Sequence, residues 1–309
     1  MSKAIITIKK PGLATSIQDG GRYGYQRFGV VSSGAMDRYA LNWANALVGN
    51  PLNAACLEIC LVGPSLVFHE DVSFSICGAN LSPHLNGQLL QGWRTYKAKA
   101  GEQLSFGRQV DGNYAYLAVK GGLESEVVMG SQSTYTKAEL GTAITEGLTI
   151  WGNPQTLPRN RGLITEEIPK YEDHVHVHYI PGPHQSYIKE DSIQHFEEQS
   201  FLLQQGDRMG FRLKGTKPIE TKNYENLSSN PIPLGGIQLP PDGNPIILLA
   251  DRQTTGGYPR IGTVISTDLS KIVQLSMGKG TIGFTAIAIE EAQLLFKQKH
   301  LKMKLYTHI

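Results

Sequence analysis

Charged residues are scarce in this chain of 309 residues: Asp, Glu, Lys and Arg make up 18% of it, against roughly 25% in soluble domains. The 29 basic and 27 acidic side chains nearly cancel and leave a net charge of +2. Because the chain is not strongly basic, nucleic acid is not expected as a main partner. The low charge content also argues against long, charged, solvent-exposed helices.

Long hydrophobic runs are missing as well. A long stretch without charge, residues 39–57, is interrupted by four Asn, a Gly and a Pro, so it does not supply the roughly 20 apolar residues of a membrane span. Lys9 and Lys10 stand where a signal peptide needs its apolar centre. We therefore expect a cytoplasmic protein that has no membrane partner.

Cysteine and the common catalytic motifs are equally limited. Cys56, Cys60 and Cys77 are odd in number and lack C-x-x-C spacing, which favours buried, reduced thiols over a zinc or redox site. Walker A, G-x-S-x-G and H-E-x-x-H patterns are absent; Gly278-Lys279 is followed by Gly rather than Ser or Thr.

Three histidines alternate with valine over residues 174–178 and would share one face of a strand. They could ligate a metal, or they could face solvent or an interface. Because no nearby Cys, Asp or Glu pattern completes a metal site, we expect no metal here.

The chain is rich in turns, with 34 Gly and 16 Pro. Short apolar runs, such as residues 4–8, 56–60, 72–77 and 114–119, are separated by turn signals, which predicts a mainly β fold with few helices. The pattern predicts helices near 36–48, 191–198, 268–275 and 290–299. Residues 151–173 lack apolar periodicity, so we predict two domains, 1–160 and 161–309.

Two glycine-rich polar clusters could form a site. The first, at 18–24, contains Gln18, Asp19 and Arg22 and is followed by S-S-G-A-M-D at 32–37. Arg22 could hold a carboxylate or phosphate, and the helix start near Met36 could offer N–H groups to an anion. The alternative interpretation is a pair of barrel turns followed by a helix cap.

The second cluster, D-R-Q-T-T-G-G-Y-P at 251–259, directly follows the apolar run 245–250. Asp251 could accept a proton and Arg252 could hold an oxyanion, whereas a network of Asp251 and Arg252 between the two lobes is the alternative. Gln238 precedes a Pro-Pro-Asp-Gly turn. We predict three catalytic residues, Asp19, Asp251 and Arg252. The predicted substrate-binding residues are Gln18, Arg22, Gln238, Gln253, Thr254, Thr255, Gly256 and Gly257.

Nine segments in this order resemble the biotin-dependent carboxyltransferase-like family, which includes KipI antagonists, the C subunit of 5-oxoprolinase and part of urea amidolyase. They are Q-D-G-G-R-Y-G with G-V-V-S-S-G-A-M-D (18–37), N-A-L-V-G-N (45–50), L-E-I (57–59), Y-L-A-V-K-G-G (116–122), G-S-Q-S-T-Y (130–135), P-G-P (181–183), D-R-M-G-F-R-L (207–213), G-G-I-Q-L-P-P-D-G (235–243) and the cluster at 251–259. The resemblance covers nearly the whole chain. It implies two cyclophilin-like β-barrel lobes.

The resemblance also implies a function. The first hypothesis is the C subunit of an ATP-dependent 5-oxoprolinase, which works with a KipI-like B subunit and a LamB/YcsF-like A subunit on a small-molecule substrate. ATP and Mg would act at the level of the complex, this chain alone would be inactive, and it would carry no covalently bound biotin. The alternatives are a regulatory protein that antagonises a KipI-like histidine-kinase inhibitor, and a biotin-dependent carboxyltransferase half that acts on urea-like acceptors.

Overall fold

The computed structural model describes residues 2–224 and 227–307. Within them, two compact units are distinguished. The first comprises residues 2–23, Ser33–Tyr171 and 303–307, and the second comprises Gly24–Ser32 and residues 172–224 and 227–302. The boundary between the main segments of the two units lies between Tyr171 and Glu172. It falls within residues 151–173, the stretch without apolar periodicity. No helix in the described residues is long and apolar enough to cross a membrane.

The first unit is built mainly from strands. They are β1 (Lys3–Lys10), β2 (Ala14–Gln18), β3 (Cys56–Cys60), β4 (Ser65–Phe68), β5 (Val72–Asn80), β6 (Pro83–Leu85), β7 (Gln88–Leu89), β8 (Arg94–Ala98), β9 (Gln103–Phe106), β10 (Asp111–Val119) and β11 (Thr149–Gly152). One sheet has the order β11-β1-β4-β9-β6-β7 and the other β2-β3-β10-β5-β8.

One apolar core joins the two sheets of the first unit. Ile6 and Phe68 come from the first sheet, Ile59 and Phe74 from the second, and none of these side chains is exposed. The rings of Phe68 and Phe74 stack with their centroids 5.2 Å apart. The apolar side chains on the facing sides of the two sheets therefore form one shared layer.

Helix α1 (Arg38–Val48) packs on β5 and β10 in the first unit. The Asp37 side chain caps its first turn, accepting from the backbone N of Ala40 at 3.0 Å, and Gly49 ends the helix with φ of 75°. The left-handed conformation at Gly49 suits a residue without a side chain. The helix predicted over 36–48 is confirmed, with its start two residues later.

The second unit contains the remaining strands. They are β12 (His174–Pro181), β13 (Phe201–Gly206), β14 (Gly210–Lys214), β15 (Asn230–Pro231), β16 (Gly236–Gln238), β17 (Ile246–Leu248), β18 (Thr255–Gly256), β19 (Arg260–Val264) and β20 (Thr281–Ala286). Seven of them close a barrel in the order β12-β19-β16-β17-β14-β13-β20, and β15 pairs with β18. Closure leaves no free edge in this sheet.

The mainly β fold with few helices is confirmed. Closure into a barrel is seen in the second unit, whereas the strands of the first unit form two sheets. Three further helices follow: α2 (Glu190–Glu198), α3 (Leu269–Val273) and α4 (Ile289–Thr307). Helix α4 continues well past the predicted end at residue 299, because neither Gly nor Pro follows to stop it.

Candidate functional site

Asp19 lies at the centre of a hydrogen-bond network in the first unit. Its Oδ1 accepts from Ser131 Oγ at 2.7 Å, from Ser133 Oγ at 2.6 Å and from the backbone N of Gly21 at 2.8 Å. Its Oδ2 accepts from the backbone N of Gln132 at 2.7 Å. Both oxygens are therefore engaged by the hydroxyl-rich loop at 130–135. In this arrangement Asp19 anchors that loop and is poorly placed to take a proton from a ligand.

Arg22 and Gln18 support the same loop. Arg22 is 1% exposed, and its Nε and Nη2 donate to the carbonyls of Val128 and Ser133, each at 2.9 Å. Gln18 Nε2 donates to the carbonyl of Thr134 at 3.0 Å, and Gln18 itself is fully buried. The predicted first cluster is thus brought together, and its contacts cross-link backbone segments inside the unit.

The start of α1 is filled by protein groups rather than left open to an anion. Glu58 Oε2 accepts from the backbone N of Met36 at 2.8 Å and from the hydroxyl of Tyr116 at 2.6 Å. The Tyr116 hydroxyl in turn accepts from the backbone N of Asp37 at 2.7 Å. The helix-cap interpretation is therefore correct here. A single carboxylate inside the apolar strand C-L-E-I-C was the signal that could have revealed this network.

Asp251 in the second unit is held by Arg208, which was not among the predicted site residues. Arg208 Nε donates to Asp251 Oδ2 at 2.8 Å, and Arg208 Nη2 donates to Oδ1 at 3.1 Å. A backbone bond from Asp251 N to the carbonyl of Arg208, at 2.8 Å, completes the contact. Because both carboxylate oxygens face the guanidinium, this geometry is that of a bidentate ion pair.

Arg252 points to backbone and hydroxyl oxygens of its own unit. Its Nε donates to the carbonyl of Ile232 at 3.0 Å, and its Nη1 lies 3.2 Å from Ser32 Oγ and 3.3 Å from the carbonyl of Leu249. The side chain is 6% exposed. Arg252 therefore connects the segment Gly24–Ser32 to the barrel within the second unit.

A groove of about 480 Å³ lies beside these residues on the second unit. We call it the outer groove. Its polar lining includes Gln205, Asp207, Arg212, Gln238 and Gln253. Its apolar lining includes Met209, Ile246, Leu248 and Tyr258. Gln238 and Gln253, both predicted to bind substrate, are thus placed on one cavity.

Strand alternation places the groove on the outside of the barrel. Phe211 and Ile247 are fully buried inside the barrel. Because neighbouring residues of a strand point to opposite faces, Arg212 and Ile246 point outward. Arg212 is opposite Ile246, and Ile246 is opposite Gln238. The three side chains form a row across three strands that is about 10 Å long. Arg212 was not among the predicted site residues, because its outward direction depends on strand pairing.

The two glutamines of the groove contact each other, and a glycine makes this possible. Gln253 Nε2 donates to Gln238 Oε1 at 3.3 Å, and Gln238 is 1% exposed. A Cβ at Gly256 would lie 2.5 Å from Gln238 Nε2, whereas one at Gly257 would meet only Ser229 Oγ, at 3.7 Å. The absence of a side chain is therefore needed at Gly256 and not at Gly257. Thr255 is exposed, and the carbonyl of Thr254 accepts from Ile232 N at 3.0 Å.

His184 lies at the end of the barrel, next to Arg260. Its Nδ1 accepts from the backbone N of Arg260 at 3.1 Å. Burial, followed by the charge of Arg260, lowers the pKa of the His184 imidazole. Both effects favour the neutral ring, as its role as acceptor requires.

The histidines of β12 bond to neighbouring elements. His174 Nδ1 lies 2.8 Å from Thr281 Oγ1, and His178 Nδ1 lies 2.9 Å from Asp268 Oδ2. Across residues 2–224 and 227–307, no group of three His, Cys, Asp or Glu residues could hold a metal ion.

Residues 28–286 match the family described as carboxyltransferase domain, subdomain A and B. This chain belongs to that family. The resemblance stated from the nine segments is confirmed. The matched range includes the whole outer groove and begins after Asp19 and Arg22.

Curated relatives in the family carry two kinds of name. Two relatives, from Haemophilus influenzae and Escherichia coli, are named as the C subunit of 5-oxoprolinase. Each is 35% identical to this chain and covers 93% of it. The aligned region spans 92% of the H. influenzae protein and 93% of the E. coli protein. Urea amidolyase from Saccharomyces cerevisiae is 30% identical over 97% of the chain, which corresponds to 17% of that protein.

Solved structures show the same fold. The urea amidolyase of K. lactis superposes with a TM-score of 0.91 at 26% identity, over 99% of the chain and 20% of that protein. TTHA0988 superposes with a TM-score of 0.83 at 28% identity, over 91% of the chain, and the chain spans about half (55%) of its length.

Proposed function

We propose that the chain is the C subunit of an ATP-dependent 5-oxoprolinase, which opens 5-oxo-L-proline to L-glutamate. The observation that carries this proposal is the match to two proteins named as that subunit, over nearly their whole length. The match to urea amidolyase, by comparison, is 30% identical and corresponds to 17% of that protein. Cys56, Cys60 and Cys77 are all thiols rather than disulfides, which favours a reducing compartment, and we place the complex in the cytoplasm.

The proposed partners are a KipI-like B subunit and a LamB/YcsF-like A subunit. Bound ATP and Mg²⁺ would supply the activation of the amide oxygen that a stable lactam needs before water can open it. The outer groove lacks a second cation beside Arg212 and offers no cluster of carboxylates among its described residues, so it does not fit a Mg²⁺-bound triphosphate. We therefore assign this chain's groove to the amide substrate and expect the chain alone to be inactive.

The groove chemistry suits a small amide that carries a carboxylate. Among the described residues Arg212 has no carboxylate partner, so its planar fork is available to a carboxylate. Gln205 and Gln253 offer amide donors and acceptors, which match the adjacent C=O and N–H of a lactam. Ile246, in the row between Arg212 and Gln238, provides an apolar floor for the ring carbons.

In this proposal, the residues of the chain bind and orient the substrate. Asp251 and Arg252 stand behind the groove lining and hold the segment that carries Gln253, since both are buried and bonded within the unit. We infer a positioning role for these two residues rather than proton transfer.

Reconstitution tests the proposal. The three purified subunits with ATP, Mg²⁺ and 5-oxoproline should release glutamate, and this chain alone should not. Arg212→Gln should raise the KM for 5-oxoproline about tenfold while the complex still assembles, because a charge-assisted bond contributes about 1.5 kcal/mol or more. Lys214→Gln, two residues along the same strand, is the matched control. Absence of glutamate from the complete mixture would overturn the proposal.

Carboxyl transfer is the second candidate, because the K. lactis urea carboxylase superposes over 99% of the chain with a TM-score of 0.91. It shares the groove chemistry, since a ureido group and a carboxylate need the same amides and guanidinium. Carboxyl transfer from carboxybiotin to urea, measured in the same reconstituted mixture with a biotin carboxylase added, separates the two candidates.

A further inference from the structure

A second cavity, of about 420 Å³, lies in the first unit and takes no part in the proposed function. We call it the Lys97 cavity. Its polar lining is Gln88, Lys97, Arg159 and Asn160. Its apolar lining is Leu85, Leu90, Tyr96 and Pro158. Its volume is within the range of small-molecule sites, roughly 300 to 1,000 Å³.

The charge of this cavity is of one sign. Lys97 and Arg159 both line it, and neither forms an ion pair with any described residue. Carboxylates in the neighbouring turn are used by backbone groups instead. Asp71 accepts from the backbone N of Ala100 at 2.9 Å, and Glu102 accepts from that of Lys99 at 2.8 Å. Two cations thus share one concave surface with no carboxylate in its described lining, although the whole chain is nearly neutral.

The apolar wall of the cavity is fixed. The Tyr96 hydroxyl donates to the carbonyl of Gln91 at 2.9 Å and accepts from the backbone N of Gln91 at 2.8 Å. On its other side the Tyr96 ring lies 5.8 Å from the ring of Phe74 in the core. Because the hydroxyl is already satisfied, the ring presents a preorganised apolar surface to the cavity.

The segment that carries Arg159 and Asn160 is anchored at both ends. On one side, the backbone N of Leu157 donates to Ser73 Oγ at 2.8 Å. On the other, the backbone N of Arg161 donates to Thr95 Oγ1 at 2.7 Å, and Thr95 N donates to the carbonyl of Arg161 at 2.9 Å. Such anchoring lowers the entropy cost of ordering the segment around a ligand.

We infer that the Lys97 cavity binds a small molecule that carries a phosphate monoester on a flat aromatic body with a polar edge. Two cations match the charge of a phosphate monoester, about −1.5 to −2 at pH 7, better than the single charge of a carboxylate. The Arg159 fork suits the phosphate oxygens, the Tyr96 wall suits the flat body, and the amides of Gln88 and Asn160 suit its polar edge. This inference is independent of the proposed 5-oxoprolinase activity.

Calorimetric titration of the full chain with AMP tests the inference, with inorganic phosphate and adenosine as separate arms. AMP should bind at least tenfold more tightly than either component, and its affinity should fall as salt rises. Lys97→Gln and Arg159→Gln should each weaken AMP binding about tenfold. Lys99→Gln, a neighbouring exposed cation outside the cavity, and Arg212→Gln in the outer groove should leave it unchanged.

Amide chemical shifts provide a readout that does not depend on affinity. On addition of AMP they should move at Leu85, Gln88 and Asn160, and not at Gln253. No saturable AMP binding, an equal loss with Lys99→Gln, or shifts confined to the second unit would overturn the inference. Phosphate binding as tight as that of AMP would contradict the flat-body requirement. Circular dichroism checks that the variants, all at exposed positions, remain folded.

Discussion

Tyr116 donates a 2.6 Å hydrogen bond to the carboxylate of Glu58, and both side chains are buried beneath the start of α1. Burial, followed by the charge of Glu58, raises the pKa of Tyr116 well above its usual value, so the phenol remains a donor. The carboxylate in turn accepts from the backbone N of Met36. A helix start that could have served an anionic ligand is therefore closed by the protein itself.

Replacing the hydroxyl of Tyr116 should destabilise the first unit. Tyr116→Phe removes a donor to a buried carboxylate and the acceptor for the backbone N of Asp37. We expect the free energy of unfolding to fall by about 2 kcal/mol, measured by urea denaturation. Tyr135→Phe, a half-buried tyrosine of the same unit, is the control. An unchanged midpoint for Tyr116→Phe would show that the network contributes nothing to stability.

Asp19 should behave as an anchor. Asp19 accepts four hydrogen bonds. Asp19→Asn keeps the shape of the side chain but replaces one acceptor oxygen with an NH₂ group, which cannot accept from the donors that face it. We expect a loss of about 2 kcal/mol in the free energy of unfolding. Ser133→Ala should produce a smaller loss in the same direction. If Asp19 were a catalytic base, Asp19→Asn would leave the free energy of unfolding unchanged and would abolish glutamate release by the reconstituted complex.

The Arg208–Asp251 pair should matter mainly to folding and assembly. Side-chain exposure is 21% for Arg208 and 7% for Asp251, so removal of one partner leaves a largely buried charge. We expect Asp251→Asn or Arg208→Met to cost about 3 kcal/mol. Arg208→Met combined with Asp251→Leu should recover part of that loss, since no isolated charge remains. If the single variants have the same free energy of unfolding as the parent protein but lose all activity, Asp251 is catalytic.

The strands of this protein could be predicted from its sequence, whereas side-chain contacts between residues far apart in the chain could not. Short apolar runs bounded by turn residues located strands such as β3, β5 and β10, because both signals are local in the sequence. The partner of Asp251 could not be found in this way, since 43 residues separate it from Arg208. Arg212 escaped notice for the same reason, because its outward direction depends on the pairing of β14 with β17. Arg159 lies in a stretch that composition identified only as a connection between domains.

Acid should weaken the second unit through His184. Since the folded protein lowers the pKa of His184, the neutral ring is favoured in the native state. The stability that this ring provides is complete above the unfolded value, about 6.5, and is lost as pH falls from there toward the lower folded value. Protonation would also break the bond from the backbone N of Arg260.

His184→Asn tests this pH dependence, because its side-chain oxygen can accept the same bond without titrating. The difference between unfolding free energies at pH 7.5 and pH 5.5 should be smaller in this variant than in the parent protein. His195→Asn, on α2 of the same unit, should retain the full difference. Equal pH dependence in the parent protein and His184→Asn would contradict the assignment.

Gly256 and Gly257 form a matched pair for testing the outer groove. A Cβ at Gly256 would lie 2.5 Å from Gln238 Nε2, so Gly256→Ala should push the Gln238 amide out of its position. Because the contact is with the end of a flexible side chain, we expect little change in stability, within about 1 kcal/mol, but a KM for 5-oxoproline raised about tenfold in the reconstituted complex. Gly257→Ala meets only Ser229 Oγ, at 3.7 Å, and should leave KM unchanged. Equal effects of the two substitutions, or none from Gly256→Ala, would mean that the contact between Gln238 and Gln253 does not shape the substrate site.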